Sequence, residues 1–363
     1  MKIGLLLPGN VYFCPYVKIY TRILENNNIP YDILYWDRDG IEEVAAHRFS
    51  RLSPQGASAW KKLLDYYLYA RFLKKKLKNE NYDHLIIFGP QIAIFLYQYL
   101  RKLYNQKFIF DYRDLSIEQR FKKRFKKVLK LSKLNVISSD GFKSCLPSEY
   151  SYVLSHNFDI DLLKQAMSEK ILSDGLCRIN DQFLILTIGG IRNYEQNEAI
   201  INSFANNPDY QIHFIGKGIV SEQLKDYAES HNICNVYFEG FYEKNIEGEY
   251  IKKSSLMNIY WPRKLSHDTA LSNRFYNSLI YCKPMITTAD TIQGNYATQY
   301  HVGVAIASED ITNEVQHYIN NFNPVEYKKG RDKLLKDFLK DYEIFELALL
   351  KTLINQPLSD LEP

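Results

Sequence analysis

Cysteine is scarce in this chain, and the five that occur, Cys14, Cys145, Cys177, Cys234 and Cys282, form no C-x-x-C pair. That scatter argues against a zinc site or a disulfide framework and fits a reducing cytoplasm. No run approaches the ~20 apolar residues of a membrane span. The nearest, Leu85-Ile86-Ile87-Phe88 followed by residues 92–100, is broken by Gly89-Pro90-Gln91 and reads as strand, turn and buried helix. The opening Met1-Lys2-Ile3-Gly4 leads into an apolar run shorter than a signal peptide needs. A large excess of one charge is also missing: 46 Lys and Arg against 42 Asp and Glu leave +4. With no recognised nucleic-acid module, that balance sets nucleic acid aside as a partner. There is no internal sequence repeat.

What is present suits two domains. The chain has 363 residues, 46% of them hydrophobic and 24% charged, enough for each half to bury a core. Short apolar runs alternate with helical patterns, the signature of a parallel α/β sheet. In the first half the expected strands are Ile3–Leu7, Tyr31–Tyr35, His84–Phe88, Lys107–Asp111, Leu134–Ser138 and Tyr152–Leu154. Helices are expected over Tyr16–Asn26, Ala57–Asn79, Ile92–Tyr104, Ile117–Leu131 and Gly141–Leu146. The alternation pauses at Ser155-His156-Asn157-Phe158-Asp159 and restarts with strands Phe183–Ile188, Tyr210–Ile215, Val236–Glu239, Leu256–Tyr260, Met285–Thr288 and Val304–Ile306. Helices then fill Ile311–Asn321 and a stretch from Val325 to about Asn355, before a frayed tail from Gln356. Two doubly wound halves enclose a deep cleft at the carboxyl ends of their strands, where open α/β folds bind ligands. The domains are read as 1–157, 158–325, and a C-terminal helical segment 326–363 packing back toward the first.

The second half carries the stronger chemical signals. Strand Phe183–Ile188 ends in Gly189-Gly190-Ile191-Arg192: glycines let the backbone approach a ligand, and the arginine can fork onto phosphate. Strand Tyr210–Ile215 ends in Gly216-Lys217-Gly218, and Val236–Glu239 leads into Gly240-Phe241-Tyr242, an aromatic pair able to flank a nucleobase. Each also reads as an ordinary βα turn. Ser272 and Asn273 are good N-caps for a helix running to Tyr281, so amide donors and a positive dipole end accompany Arg274. Arginine is disfavoured in a first turn, which suggests an anion nearby.

This series, clearest over Asn273–Ile286, resembles the C-terminal domain of retaining glycosyltransferases of the GT-B fold, family 4-like, of the type that builds bacterial capsule or O-antigen polysaccharide. In the first half Phe110-Asp111-Tyr112-Arg113-Asp114-Leu115 is similar to the D-x-R-D-L segment of such enzymes, and Leu154–Asp159 lies where they have the interdomain P-N-G-x-D. The resemblance implies that Gly189, Gly190, Arg192 and Arg274 face a donor diphosphate, with Gly216, Lys217, Tyr242, Ser272 and Asn273 around the donor. Asn277 stands at the family's second glutamate of E-x7-E, which holds the donor ribose. Thr269 stands at the first, with Asp268 beside it, so neither acid is present. Asn277 can still hydrogen-bond a hydroxyl, and Asp268 serves only if the loop shifts by one residue.

In such a transfer the nucleoside diphosphate leaves as oxocarbenium-like charge develops on the sugar. Arg192, Arg274 and the helix end would neutralise it without a metal or other cofactor. No D-x-D follows a strand in the second half; Asp37-Arg38-Asp39 matches the letters but reads as a turn. The acceptor side is expected in the first half, at Gly9, Asn10, Arg113 and His156, with Asp111 or Asp114 orienting an acceptor hydroxyl. Arg113 and Asp114 equally read as a structural ion pair. Glu118 reads as a helix N-terminal acid, and His84 and His213 as core residues of strands. Two basic stretches stand out, Arg71–Lys78 and Arg120–Lys133. In the second, Phe121, Phe125, Val128 and Leu129 share a face, which fits either a core-facing stripe or a surface that meets anionic lipid. The resemblance tips that choice toward membrane contact and a glycan or lipid-linked acceptor. The protein is expected in the cytoplasm, peripheral at the inner face of the membrane. Two other readings stay open: an inactive sugar- or nucleotide-binding partner protein, and a sugar-nucleotide epimerase of the same architecture.

Overall fold

The computed structural model describes residues 1–41, 43, 47–53, 58–168 and 175–354. The expected start of the second helix at residue 57 and the tail from Gln356 lie outside them. The chain divides into two compact units, one of residues 1–157 with the chain's end from Lys340, the other of residues 158–339.

The first unit runs β1 (Ile3–Leu6), α1 (Val17–Asn26), β2 (Tyr31–Asp37), β3 (His47–Ser50), α2 (Ala59–Glu80), β4 (His84–Phe88), α3 (Pro90–Leu103), β5 (Phe108–Tyr112), α4 (Lys122–Leu131), β6 (Leu134–Ile137) and β7 (Val153–Leu154). All pairings are parallel, in the order β3-β2-β1-β4-β5-β6-β7. Strands buried on both faces favour unbroken apolar runs, and β1 and residues 85–88 of β4 are buried throughout. Trp36, fully buried at the end of β2, meets the Tyr66 ring edge-on at 5.1 Å and donates its indole N–H to Arg51 O at 2.8 Å. Ser58 caps α2 by accepting from Lys61 N, and Asn81, at φ 50, ends it in the left-handed region.

The second unit runs α5 (Ile160–Ser168), β8 (Phe183–Ile188), α6 (Tyr194–Ser203), β9 (Tyr210–Ile215), α7 (Ser221–Ser230), β10 (Val236–Glu239), α8 (Glu247–Lys252), β11 (Leu256–Ile259), α9 (Leu265–Asp268), α10 (Asn273–Ile280), β12 (Met285–Thr288), α11 (Ile292–Gln299), β13 (Gly303–Ile306), α12 (Ile311–Asn320) and α13 (Pro324–Ile354), whose last turns belong to the first unit. Its parallel sheet has the order β10-β9-β8-β11-β12-β13. Ile185, Ile212, Phe214, Leu256 and Ile286 are fully buried at its centre, each worth about 1.5–3 kcal/mol.

Both sheets reverse direction beside their first strand, at β1/β4 and at β8/β11. The crevice outside the strand ends at such a reversal is where doubly wound sheets take ligands. The expected strands are all present. The expected helix Ile117–Leu131 is instead a 3-10 turn, Ile117–Gln119, followed by α4. Four further elements have no counterpart in the sequence pattern. Strand β3, with alternate residues exposed, is a polar edge strand and lacks the apolar run of a central one. Helices α5, α9 and α11 are short and weakly patterned.

Candidate functional site

The β8/β11 reversal is built from four loops. Gly189, at φ +94, follows β8, and its amide donates to Ile215 O at 2.8 Å; Ile191 N donates to Lys217 O at 3.4 Å. Gly216 N donates in turn to the carbonyls of Glu239 and Gly240. The glycines allow this stacking of backbone on backbone. A Cβ at Gly216 would lie 2.2 Å from Gly189 O, and one at Gly218 would lie 1.8 Å from Ile191 O. These glycines therefore have a packing duty that the turn reading already covers. What remains for a ligand is the set of free donors: among the described residues the amides of Gly190, Arg192 and Lys217 have no acceptor. Asn193, in the left-handed region before α6, makes no side-chain cap, so the amides of that helix's first turn are open as well.

Three cations stand at these loops. Arg274, in the first turn of α10, reaches under them: its Nε donates to Ile188 O at 2.6 Å, Nη1 to Asn258 O at 3.3 Å and Nη2 to Gly190 O at 2.9 Å. Its fork thus ties the ends of β8 and β11 to the glycine turn across the topological reversal. Burial in the crevice pushes its pKa down to about 10, so it stays charged at neutral pH. Arg192 is exposed and lies back over Gly190, where a Cβ would stand 3.4 Å from its Nε. Lys217 is exposed on the adjacent loop. Among the described residues no carboxylate forms an ion pair with Arg192, Lys217 or Arg274. Unpaired cations and open amides at one sheet edge make an anion site.

The remaining second-unit candidates fall into place around this centre. Ser272 is the N-cap of α10, accepting from Phe275 N at 3.2 Å, and its hydroxyl donates to Gln293 at 2.7 Å. Asn273 is exposed at the helix's first position. Asp268 pairs with Arg263 at 2.9 Å, and Thr269 is buried with its hydroxyl donating to Leu265 O at 2.7 Å. Both are tied into the short turn of α9. The Tyr242 hydroxyl lies over Gly189, 3.8 Å from where a Cβ would stand, and donates to Glu247.

Glu247 is the residue that sequence reasoning missed. Its side chain is 10% exposed, and it accepts from Asn277 Nδ2 at 2.7 Å, from Lys244 Nζ at 2.5 Å and from Tyr242. A glutamate opening a helix reads as a dipole-compensating acid, and nothing in the sequence shows that it turns inward to Asn277. Its negative charge also favours protonated Arg274.

The first-unit candidates have structural partners. Asp111 is wholly buried, accepts from Tyr20 OH at 2.6 Å and pairs with Arg113 at 2.7 Å. Burial pushes its pKa up, opposed by Arg113. Arg113 also donates to Ser155 O at 2.8 Å and lies over the Tyr16 ring. The ion pair that forms is thus Arg113–Asp111; Asp114 is exposed beyond it. Asn10 is wholly buried and donates to Asp37 and to Ile41 O, both at 3.1 Å, while Gly9 beside it lies next to Arg38. Asp37 is buried against Arg48, so the Asp37-Arg38-Asp39 segment is a turn. His156 is buried with Nε2 3.0 Å from Asp341 Oδ2. Glu118 is buried and accepts from Tyr112 OH at 2.9 Å and from Ser116 N.

Among the described residues one group, Asp32, His47 and Glu80, has metal-ligand spacing. The Lys2 ammonium already stands among its acids, 2.6 Å from Asp32 and 3.3 Å from Glu80.

No family model matches the chain, and no curated protein matches it by sequence. Solved structures do match its fold. Sucrose-phosphate synthase from Thermosynechococcus elongatus aligns with a TM-score of 0.69 at 11% identity, over 98% of this chain and 99% of that one. The α,α-trehalose 6-phosphate synthase of Burkholderia multivorans aligns at 0.65 and 10% identity, over 98% and 97%. The UDP-GlcNAc 2-epimerase of Neisseria meningitidis, solved with UDP-GlcNAc bound, aligns at 0.61 and 13%, over 97% and 100%. The likeness is one of fold: two Rossmann-like units, each a parallel sheet flanked by helices, the GT-B class. No helix among the described residues is long and apolar enough to cross a membrane.

Proposed function

We propose that this chain is a glycosyltransferase that moves a sugar from a nucleoside-diphosphate sugar to a glycan or lipid-linked acceptor in surface polysaccharide synthesis. The observation that carries the reading is the exposed, unpaired Arg192 guanidinium over Gly190, with Arg274 beneath it at the β8/β11 reversal. A diphosphate set there meets two guanidinium charges and the open amides of Gly190 and Arg192. As the bond between the anomeric carbon and the terminal phosphate oxygen breaks, negative charge grows on that oxygen, and fixed cations lower the barrier. The reading takes the transfer to proceed with retention and without a metal or cofactor. Gly216, Lys217, Tyr242, Ser272, Asn273 and Asn277 surround the donor, with Asp268 and Thr269 at its sugar end. Gly9 and Asp114 stand on the acceptor side of the first unit, where the buried and hydrogen-bonded Asn10, Asp111, Arg113 and His156 position the strand ends. Arg120–Lys133 is the proposed contact with an anionic membrane surface at the inner face. Solved structures of this fold named as sucrose-phosphate and trehalose-6-phosphate synthases support a transferase.

A second reading draws on Thr269 and Asn277. With no acid at either position, the same pocket suits a protein that binds a sugar nucleotide without turning it over. Structures of this fold also include UDP-GlcNAc 2-epimerases, which keeps epimerisation as a further alternative. Turnover of a labelled nucleotide sugar separates the three: transfer, epimer formation, or neither.

Nucleotide binding itself is tested by melting the protein against a panel of nucleoside diphosphates. A ligand at a hundredfold excess over its Kd stabilises by about 2.7 kcal/mol, which raises Tm by roughly 5–10 °C in a unit of this size. Arg192→Ala should remove the rise. Identical melting with every nucleotide refutes the reading.

A further inference from the structure

Behind the glycine turn of the second unit the core becomes polar. Thr187 of β8 and Asn258 of β11 are fully buried, and Asn197 of α6 is 5% exposed. Asparagine is among the residues that strands take least, and a buried carboxamide persists only where its donors and acceptor are met. Here they are met by one another and by the turn. Asn258 Nδ2 donates to Thr187 Oγ1 at 2.8 Å and to Asn197 Oδ1 at 3.3 Å, and Asn258 Oδ1 accepts from Tyr260 N at 3.0 Å. Asn197 Nδ2 in turn donates to Arg192 O at 2.6 Å and to Asn193 O at 3.0 Å. Both carboxamides therefore use both of their hydrogens, and the last link of the relay is the turn itself.

In a trans peptide the N–H points opposite to the C=O of the same unit. Holding the carbonyls of Arg192 and Asn193 inward therefore turns the amides of Asn193 and Tyr194 away from the core, and among the described residues neither has an acceptor. Asn258 also holds the second cation, because its main-chain O accepts from Arg274 Nη1 at 3.3 Å. Gly190 lies between the two guanidinium groups: its carbonyl accepts from Arg274 Nη2 at 2.9 Å, and Arg192 lies back over it. One strand residue thus fixes both arginines, Arg192 through Asn197 and Arg274 directly.

We infer that Asn197 and Asn258 are positioning residues that hold the Arg192 turn and the Arg274 guanidinium in one fixed relation, so that the crevice takes a diphosphate in preference to a single phosphate. The inference rests on the proposed reading of this crevice as the site of a nucleoside diphosphate. A single phosphate needs one cation and the nearest amides. A diphosphate gains over it only if its second phosphate meets the second cation already in place, since groups that must be ordered on binding give back part of the affinity they supply. An aliphatic side chain at either position suits a buried strand or the inner face of a helix, so the fold alone does not call for asparagine. What the carboxamides add is the orientation of the turn's carbonyls, and with it that of the N–H groups on the other side of the same peptide units.

The test titrates the full chain with inorganic pyrophosphate and with orthophosphate, which keeps the nucleobase out of the measurement. Wild type should bind pyrophosphate at least about tenfold more tightly, and Arg192→Ala should remove that preference. Asn197→Leu should lower pyrophosphate affinity about tenfold and leave orthophosphate unchanged, with a smaller loss of the same kind from Asn258→Leu. In an Arg192→Ala background Asn197→Leu should change pyrophosphate affinity no further, because the two act through one contact. Thr187→Val disturbs the same buried network without reaching the turn, so it should lower Tm and keep the preference. Where Asn197→Leu does not fold, Asn197→Ser, whose hydroxyl is too short to reach both carbonyls, takes its place. An unchanged preference in the Asn197 variant, equal losses from it and from Thr187→Val, or losses additive with Arg192→Ala overturn the inference and leave the nucleotide reading standing. So does a wild type without the preference that a nucleoside diphosphate still stabilises. A wild type that binds none of these ligands, or a preference that survives Arg192→Ala, removes the nucleotide reading and the inference with it.

Discussion

The side-chain amide of Asn277 donates to the carboxylate of Glu247 at 2.7 Å, joining α10 to α8 beside Tyr242. The proposed function sets Asn277 beside the donor, and an acid from a different helix stands against that asparagine. Lys244, 67% exposed at its side chain, covers the carboxylate and can give way to a ligand. On the proposed function, Glu247→Gln should weaken binding of a nucleoside diphosphate about tenfold and leave inorganic pyrophosphate unchanged, since a charge-assisted hydrogen bond is worth about 1.5–3 kcal/mol. Calorimetric titration of both ligands decides it; equal losses for the two would assign Glu247 a purely structural role.

Arg192 and Arg274 differ in what they hold, so their removal should differ. The Arg192 guanidinium makes no hydrogen bond within the described residues, and Arg192→Ala should leave Tm unchanged while abolishing nucleotide-induced stabilisation. Arg274 satisfies the carbonyls of Ile188, Asn258 and Gly190. Arg274→Ala strips those carbonyls of donors and should destabilise the ligand-free protein by about 2–4 kcal/mol as well as losing the nucleotide. Urea unfolding of the two variants, each with and without ligand, checks the contrast. Equal stability losses would mean that the crevice carbonyls do not need the guanidinium.

The glycine turns make a separate prediction about folding. Gly218→Ala places a methyl 1.8 Å from Ile191 O, and Gly216→Ala places one 2.2 Å from Gly189 O on a backbone at φ +122. Neither obstacle is a flexible side chain, so the loops must separate. Each variant should lose at least about 3 kcal/mol. By contrast Gly9→Ala, whose new methyl would meet only the Arg38 side chain at 3.7 Å, should be nearly neutral. Denaturant midpoints for the three variants test the ranking.

These contrasts show what the sequence could reveal. Apolar runs such as Ile3–Leu6 and residues 85–88 announce themselves because a strand buried on both faces has little room for polar residues, and the order of strands and helices follows from them. The edge strand His47–Ser50 lacks that signal because one side meets solvent. The glycine-rich turns are visible in the sequence, but their stacking on one another is not: contacts between loops distant in sequence have no periodicity. The Arg113 pairing is within reach, since residues two apart at a strand end share a side, and Asp111 rather than Asp114 meets that condition. Glu247 is beyond reach, because its partner Asn277 lies 30 positions away on another helix.

The last prediction concerns pH. His47, His84 and His213 each have a pKa lowered from the ordinary 6.5, in every case chiefly by burial, because the imidazolium is poorly solvated in the fold. His84 leaves its buried Nδ1 without a hydrogen-bond partner among the described residues, and His213 has Glu239 3.7 Å away as a partial counterweight. The unfolded chain therefore binds protons at pH values where the native chain resists them. The sign follows: the stability held by these neutral rings is complete above about pH 6.5 and drains away as pH falls through the lower native values. Tm should be level above about pH 7 and decline as pH falls from about 6.5 to about 5.5, above the range in which ordinary carboxylates titrate. His84→Gln, which carries no titrating group into the same site, should flatten part of that decline, and adding His213→Gln should flatten more. A wild-type Tm that is level across this interval would mean that the rings gain protons in the fold as readily as in water.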